Sequence, residues 1–112
     1  NLRWMQRFIS KYQVKLAPHG KTTMAPKLFH KQFEHGAWAI TLATVHQVQV
    51  AHAAGIRRII LANQLIGKTN MMIIRQLLDE DPELDFYCLI DSSINVEQLA
   101  QVFPSEHGRR LQ

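Results

Sequence analysis

The chain has 112 residues, 46% hydrophobic and 20% charged, with 13 Lys/Arg against 9 Asp/Glu for a formal charge of +4. This is the composition of one globular domain at most, and it excludes a disordered tail, a collagen-like repeat and a disulfide scaffold. No apolar run approaches the roughly 20 residues that span a bilayer, and the first residues read as the middle of a helix rather than a charged-then-apolar leader.

Leu2, Met5, Phe8, Ile9 and Tyr12 recur at helical spacing, which predicts an amphipathic helix over 2–12. Val14-Lys15-Leu16-Ala17 alternates as a short strand, and Pro18-His19-Gly20 breaks it. Residues 21–24 form a loop. Pro26 suits the first turn of a helix, where its missing N–H has no partner to lose. That helix buries Leu28, Phe29 and Phe33, and Gly36 closes it. A strand over 38–43 follows. Thr44 and Gln47 then have capping-box spacing for a helix that runs to about Ala54 and ends at Gly55. Residues 58–62 form a third strand, apolar without alternation, as in parallel strands covered on both faces. A loop over 63–68 leads to a helix over 69–79, with Met71, Met72, Ile74, Leu77 and Leu78 for its buried side. Residues 86–90 form a fourth strand. The last helix starts near Ile94 and turns Val96, Leu99 and Val102 inward.

Gly36-Ala-Trp-Ala-Ile-Thr-Leu-Ala-Thr44 aligns with Gly55-Ile-Arg-Arg-Ile-Ile-Leu-Ala-Asn63 as a weak internal repeat. The βα alternation with short crossovers predicts an α/β fold with a parallel sheet, either an open doubly wound sheet or part of a (β/α)8 barrel. Ligands bind such sheets at the C-terminal ends of the strands. There the sequence puts His19 and Lys21, then Thr44, then Asn63, then Asp91 and Ser92.

Other patterns are weaker. Gly20-Lys21-Thr22 and Gly67-Lys68-Thr69 both lack the glycine that a phosphate loop needs four residues before its Gly-Lys. The pairs His30/His35 and His46/His52 do not share a helix face, so no metal site is expected within the chain. Cys88 lies in an apolar run and reads as a buried, inert thiol; the reducing cytoplasm is the default compartment. Residues 1–58 hold nine Lys/Arg and one acid, Glu34, whereas residues 59–112 hold four Lys/Arg and eight acids. Arg3, Arg7, Lys11 and Lys15 recur at four-residue steps, as on a solvated helix side. A nucleic-acid interface would interleave exposed aromatics with such cations. None is expected, so neither nucleic acid nor membrane is a predicted partner.

The segment Leu16-Ala-Pro-His-Gly-Lys-Thr-Thr-Met-Ala-Pro-Lys-Leu-Phe29 resembles the pyridoxal-phosphate lysine segment of the D-serine dehydratase and D-threonine aldolase family. These are fold type III enzymes with an alanine-racemase-type barrel. The resemblance continues through residues 36–47 and 60–67, covers roughly residues 1–95, and fits best the bacterial branch of amino acid deaminases.

The resemblance implies that Lys21 holds pyridoxal 5'-phosphate as an internal aldimine, with the cofactor as electron sink. It implies that His19 orients Lys21 or the cofactor, that Thr22 and Thr23 hydrogen-bond nearby, and that Thr44 and Asn63 line the pocket. Asp91 either joins the site or caps the following helix with Ser92 and Ser93. Residues 1–112 would be the N-terminal half of the (β/α)8 barrel. The second half and a C-terminal β-domain, which in several members carries zinc or manganese ligands, would lie outside it.

The implied activity is that of a lyase removing water and ammonia from D-serine or D-threonine to give a 2-keto acid. Alternatives are retro-aldol cleavage to glycine and an aldehyde, racemisation, and a non-catalytic pyridoxal-phosphate carrier. A small amino acid substrate and a homodimeric full-length protein are implied. The 112 residues alone should be inactive, with open sheet edges before Val14 and after Ile90 and a half-built interior at Val14, Leu16, Ile40, Leu42, Ile60 and Leu89.

Overall fold

A computed structural model describes residues 1–103 and Leu111. The elements follow in the order α1 (Leu2–Tyr12), α2 (Pro26–Glu34), β1 (Ile40–Leu42), α3 (Val45–Ala53), β2 (Arg58–Gln64), α4 (Lys68–Glu80), β3 (Asp85–Leu89) and α5 (Ser93–Val102). The three strands form a parallel sheet in the order β1-β2-β3. The fold is therefore α/β with a parallel sheet.

The internal repeat explains the register. Ile40 pairs with Ile59, Thr41 with Ile60 and Leu42 with Leu61, the same offset that relates Gly36 to Gly55. Both glycines take left-handed φ, +87° and +85°. Each closes its helix with two reversed bonds: Gly36 N–H to Phe33 and Ala37 N–H to Gln32, then Gly55 N–H to His52 and Ile56 N–H to Ala51. This is the Schellman arrangement, which favours glycine because a Cβ is strained at such φ. One helix ending, used twice, delivers two strands in step.

The core lies between the sheet and the helices that follow its strands. Ile40, Leu42, Ile59, Leu61 and Phe86 are buried there against Val48, Met71, Ile74, Leu78 and Leu99. Ile40 and Leu42 thus point under the helices and not into a half-built interior. The opposite face holds Trp38 and Tyr87, with ring centroids 5.2 Å apart, and Lys15 Nζ lies 4.9 Å over the indole. Val14, Leu89 and Ile90 are exposed.

Met72, expected on the buried side of α4, is exposed, and four further expectations need correction. Residues 14–17 are not a strand; the segment touches β1 through a single bridge, His19 to Thr41. Pro18 has no N–H, so the ladder lacks the donor that its next pair requires. Second, Phe8 and Tyr12 are not on the buried side of α1. Leu2, Met5 and Ile9 face the protein, while Trp4, Phe8 and Tyr12 are 58%, 42% and 56% exposed. They stack at four-residue steps, 5.6 and 4.7 Å between centroids, beside Arg3, Arg7 and Lys11. Exposed aromatics interleaved with cations are therefore present. α1 sets Ile9 on the Gly36 turn and Leu2 and Met5 toward Leu16, Pro18 and His35, a seat that covers one stripe of a helix that has two. Third, Val96 is exposed, and Asn95 takes the buried position in α5, donating to the Leu65 carbonyl at 3.2 Å. Fourth, the edge of β3 is not wholly open, because Leu111 bridges to Phe86.

The charge imbalance along the chain is partly closed in space. Arg57 reaches Asp81 at 2.9 Å and Glu83 at 3.5 Å, and Arg58 reaches Asp85 at 3.0 Å. His52 Nε2 also lies 2.9 Å from Asp81. Burial works against ionising Asp81, but hydrogen bonds from His52, the Glu83 N–H and Arg57 outweigh it and hold the carboxyl below its ordinary range. A carboxyl depressed in the folded state adds stability above its unfolded value, and that stability is lost as pH falls through the folded value. The urea midpoint should therefore fall as the pH drops below about 4. Asp81→Asn should lower the midpoint at pH 7 and flatten that acid slope. An unchanged slope in the variant would remove Asp81 from this role.

Candidate functional site

Lys21 sits at the exposed apex of a tight turn. The Met24 N–H donates to the Gly20 carbonyl at 2.9 Å, closing residues 20–24 into one uncontinued helical turn with Lys21, Thr22 and Thr23 outermost. Met24 accepts φ +41° to make the exit toward Pro26.

What fixes this turn is Thr41, which spends all its polar groups on the segment before it. Its N–H donates to Pro18 (2.9 Å), its carbonyl accepts from Gly20 (2.8 Å), and its hydroxyl donates to Ala17 (2.9 Å). Gly20 is buried against α2. A Cβ there would lie 2.6 Å from Phe29 Cε1 and 2.9 Å from Ile40 Cγ1, so the close approach requires glycine. Neither Thr41 nor this use of Gly20 was apparent from the sequence pattern. A threonine between two buried apolar residues was the available signal, because a buried hydroxyl needs a partner.

The predicted site residues divide into two groups. His19, Lys21 and Thr22 are exposed around the turn. Thr44 and Asn63 line a groove of about 390 Å³ at the C-terminal ends of β1 and β2, together with His46, Gln64 and Asn70. Both have local duties as well. The Thr44 hydroxyl caps α3 by accepting the Gln47 N–H at 3.3 Å, and Asn63 Nδ2 donates to the Ala43 carbonyl at 2.9 Å. Asp91 is exposed, and Ser92 caps α5 by accepting the Asn95 N–H.

Gln47 joins the two groups. Its Oε1 accepts from the Ala43 N–H at 2.9 Å and its Nε2 donates to the Lys21 carbonyl at 3.1 Å. The capping-box reading of Thr44 and Gln47 is thus half met: the Gln47 amide reaches back one residue further, to Ala43. Cys88 is half-buried, and burial pushes its thiol up. Among the described residues no group of three or more His, Cys, Asp or Glu side chains could hold a metal ion, and no helix is long and apolar enough to cross a membrane.

Fold and site together define a parallel βα assembly that presents a lysine amine at the C-terminal edge of its sheet. Two comparisons place it more narrowly. The chain is 29% identical over 101 residues to the D-threonine aldolase of Arthrobacter sp., covering 90% of this chain and 26% of that enzyme. It also superposes on the crystal structure of D-threonine aldolase from Filomicrobium marinum with a TM-score of 0.83 and 24% identity, covering 90% of this chain and 27% of that one. No family model matches the chain. The chain therefore spans about a quarter of the length of these two proteins.

Gly20→Ala should destabilise the protein by about 2 kcal/mol, the usual cost of overpacking. Adding Phe29→Leu, which removes the atom that the new Cβ meets, should recover part of the loss. Urea midpoints of the two single variants and the double variant measure the coupling. Additive losses would show that Gly20 is not held by contact with Phe29.

Proposed function

We propose that these residues form the lysine-bearing part of a pyridoxal-phosphate-dependent lyase that cleaves D-β-hydroxy amino acids by retro-aldol reaction. The substrate is a small molecule such as D-threonine, and the products are glycine and an aldehyde. The observation that carries the reading is the exposed Lys21 amine on a turn built at the strand ends, in a chain similar to a D-threonine aldolase. The same similarity favours aldol cleavage over deamination. The reading extends to the architecture: residues 1–112 as part of a (β/α)8 barrel, in a larger homodimeric, cytoplasmic protein.

The residues present suit the cofactor. Lys21 offers a primary amine for its aldehyde, and Thr22, Thr23, Thr44, Asn63 and His19 offer hydrogen bonds around it. Among the described residues Lys21 enters no ion pair, so no carboxylate competes for its amine. When bound, pyridoxal phosphate withdraws electrons from the bonds at the substrate's α-carbon. Lys21 would anchor the group through its amine and could hold a proton next to that carbon. His19, two residues before it at the entry to the turn, orients the lysine. Thr44 and Asn63 set the wall of the groove.

Incubating the complete protein with pyridoxal phosphate and D-threonine should give acetaldehyde and glycine. A 2-keto acid with ammonia would return the reading to deamination. Borohydride reduction and peptide mapping should place the cofactor on Lys21. Lys21→Ala should lower turnover by at least about a thousandfold. Lys21→Arg should fail as well, since a guanidinium stays protonated. A label on Lys15, Lys27 or Lys68 would overturn the assignment.

A further inference from the structure

We propose that Gln47 is a positioning residue for Lys21: its side-chain amide is a bracket that holds the lysine turn against the start of α3. The proposal deepens the reading above, since the value of holding Lys21 rests on that lysine carrying the cofactor.

The argument starts from the amide. A glutamine side chain presents one acceptor and one donor end, and here each end meets its complement. Oε1 takes the Ala43 N–H at 2.9 Å and Nε2 gives to the Lys21 carbonyl at 3.1 Å. Turning the amide over would set oxygen against oxygen and nitrogen against N–H, so the orientation is keyed by both partners. Ala43 is held from its other side as well, because its carbonyl accepts from Asn63 Nδ2 at 2.9 Å. Lys21, Gln47, Ala43 and Asn63 thus form one hydrogen-bonded line across the C-terminal ends of the segment 16–20, β1 and β2. Within residues 21–23, the outermost part of the turn, the Lys21 carbonyl is the point that this line ties down. Thr41 and Gly20 fix the turn's entry and leave its apex to Gln47.

The two functions of the amide can be separated. Gln47→Glu keeps an acceptor for the Ala43 N–H and puts a carboxylate at the third position of α3, where a helix N-terminus favours it. It deletes the donor to Lys21. A role confined to capping α3 therefore predicts that the variant is neutral or more stable everywhere. The bracket predicts a local loss at Lys21 alone.

The test uses the full chain and two readouts. Trypsin cuts at the Lys21 carbonyl, the atom that Gln47 holds, and the turn must open before it can be cut. Losing one hydrogen bond of ordinary strength should speed cleavage after Lys21 in Gln47→Glu by roughly five- to tenfold, with the urea midpoint equal to or above wild type. In the second readout, pyridoxal phosphate is titrated and trapped with borohydride. The concentration that half-saturates the label on Lys21 should rise by a similar factor. Gln47→Ala, which brings no carboxylate near the amine, should show the same local effects with a lowered midpoint, and a rise in half-saturation confined to Gln47→Glu would overturn the positioning role.

An unchanged cleavage rate in Gln47→Glu overturns the bracket, whatever the cofactor does. Faster cleavage with an unchanged half-saturation leaves the bracket as a purely structural clamp and overturns its role in positioning the lysine. Faster cleavage with no label on Lys21 in either protein supports the bracket and overturns the cofactor reading instead.

Discussion

Lys21 owes its place to the hydrogen bonds of Thr41. Segment 14–20 would be an ordinary edge strand if Pro18 could donate to the ladder, and because it cannot, the pairing with β1 is sparse. Thr41 compensates with its hydroxyl, which reaches the Ala17 carbonyl while its own N–H and carbonyl hold Pro18 and Gly20. Gly20 then fits beneath Phe29 and Ile40 because it has no Cβ. The lysine is thus placed by backbone bonds and close packing around its neighbours. Its own long side chain is exposed and keeps its rotamer freedom. The proposed function calls for that combination of a fixed root and a mobile tip, since there the amine exchanges one carbonyl partner for another.

Much of this was legible in the sequence, for reasons that particular residues show. The Gly36/Gly55 repeat encoded helix ending and strand register together, so the parallel order of β1 and β2 followed from a pattern of nine residues. The same offset makes Thr44 and Asn63 neighbours, and both line the groove. Helix boundaries were readable because Pro26, Thr44 and Ser92 act locally.

Features that depend on which surface is covered were not readable. The Val14–Ala17 alternation looks like a strand, but pairing needs donors, and the effect of Pro18 appears only once its partner strand is known. Periodicity marks the apolar stripes of α1 without saying which of them meets a neighbour, so it does not distinguish Phe8 and Tyr12 from the buried Ile9. In α5 the competition was between Val96 and Asn95, and the Leu65 carbonyl decided it by offering a buried acceptor that only a donor could satisfy.

The two ends of the sheet are built from different chemistry, and the division suits their duties. At the N-terminal end Arg57 and Arg58 pair as ions with Asp81, Glu83 and Asp85, His52 hydrogen-bonds Asp81, and Lys15 and Arg58 lie over Trp38. At the C-terminal end Gln47, the Ala43 peptide and Asn63 connect the strands through neutral amides. Either chemistry could tie one strand to the next. A carboxylate in the second network would also attract the Lys21 ammonium, drawing it away from the carbonyl that the proposed function has it meet. Amides supply the same donors and acceptors without that field. In the proposed function, the fold is therefore held firmly around a lysine whose amine is left uncommitted, with the ionic links kept at the opposite end of the sheet.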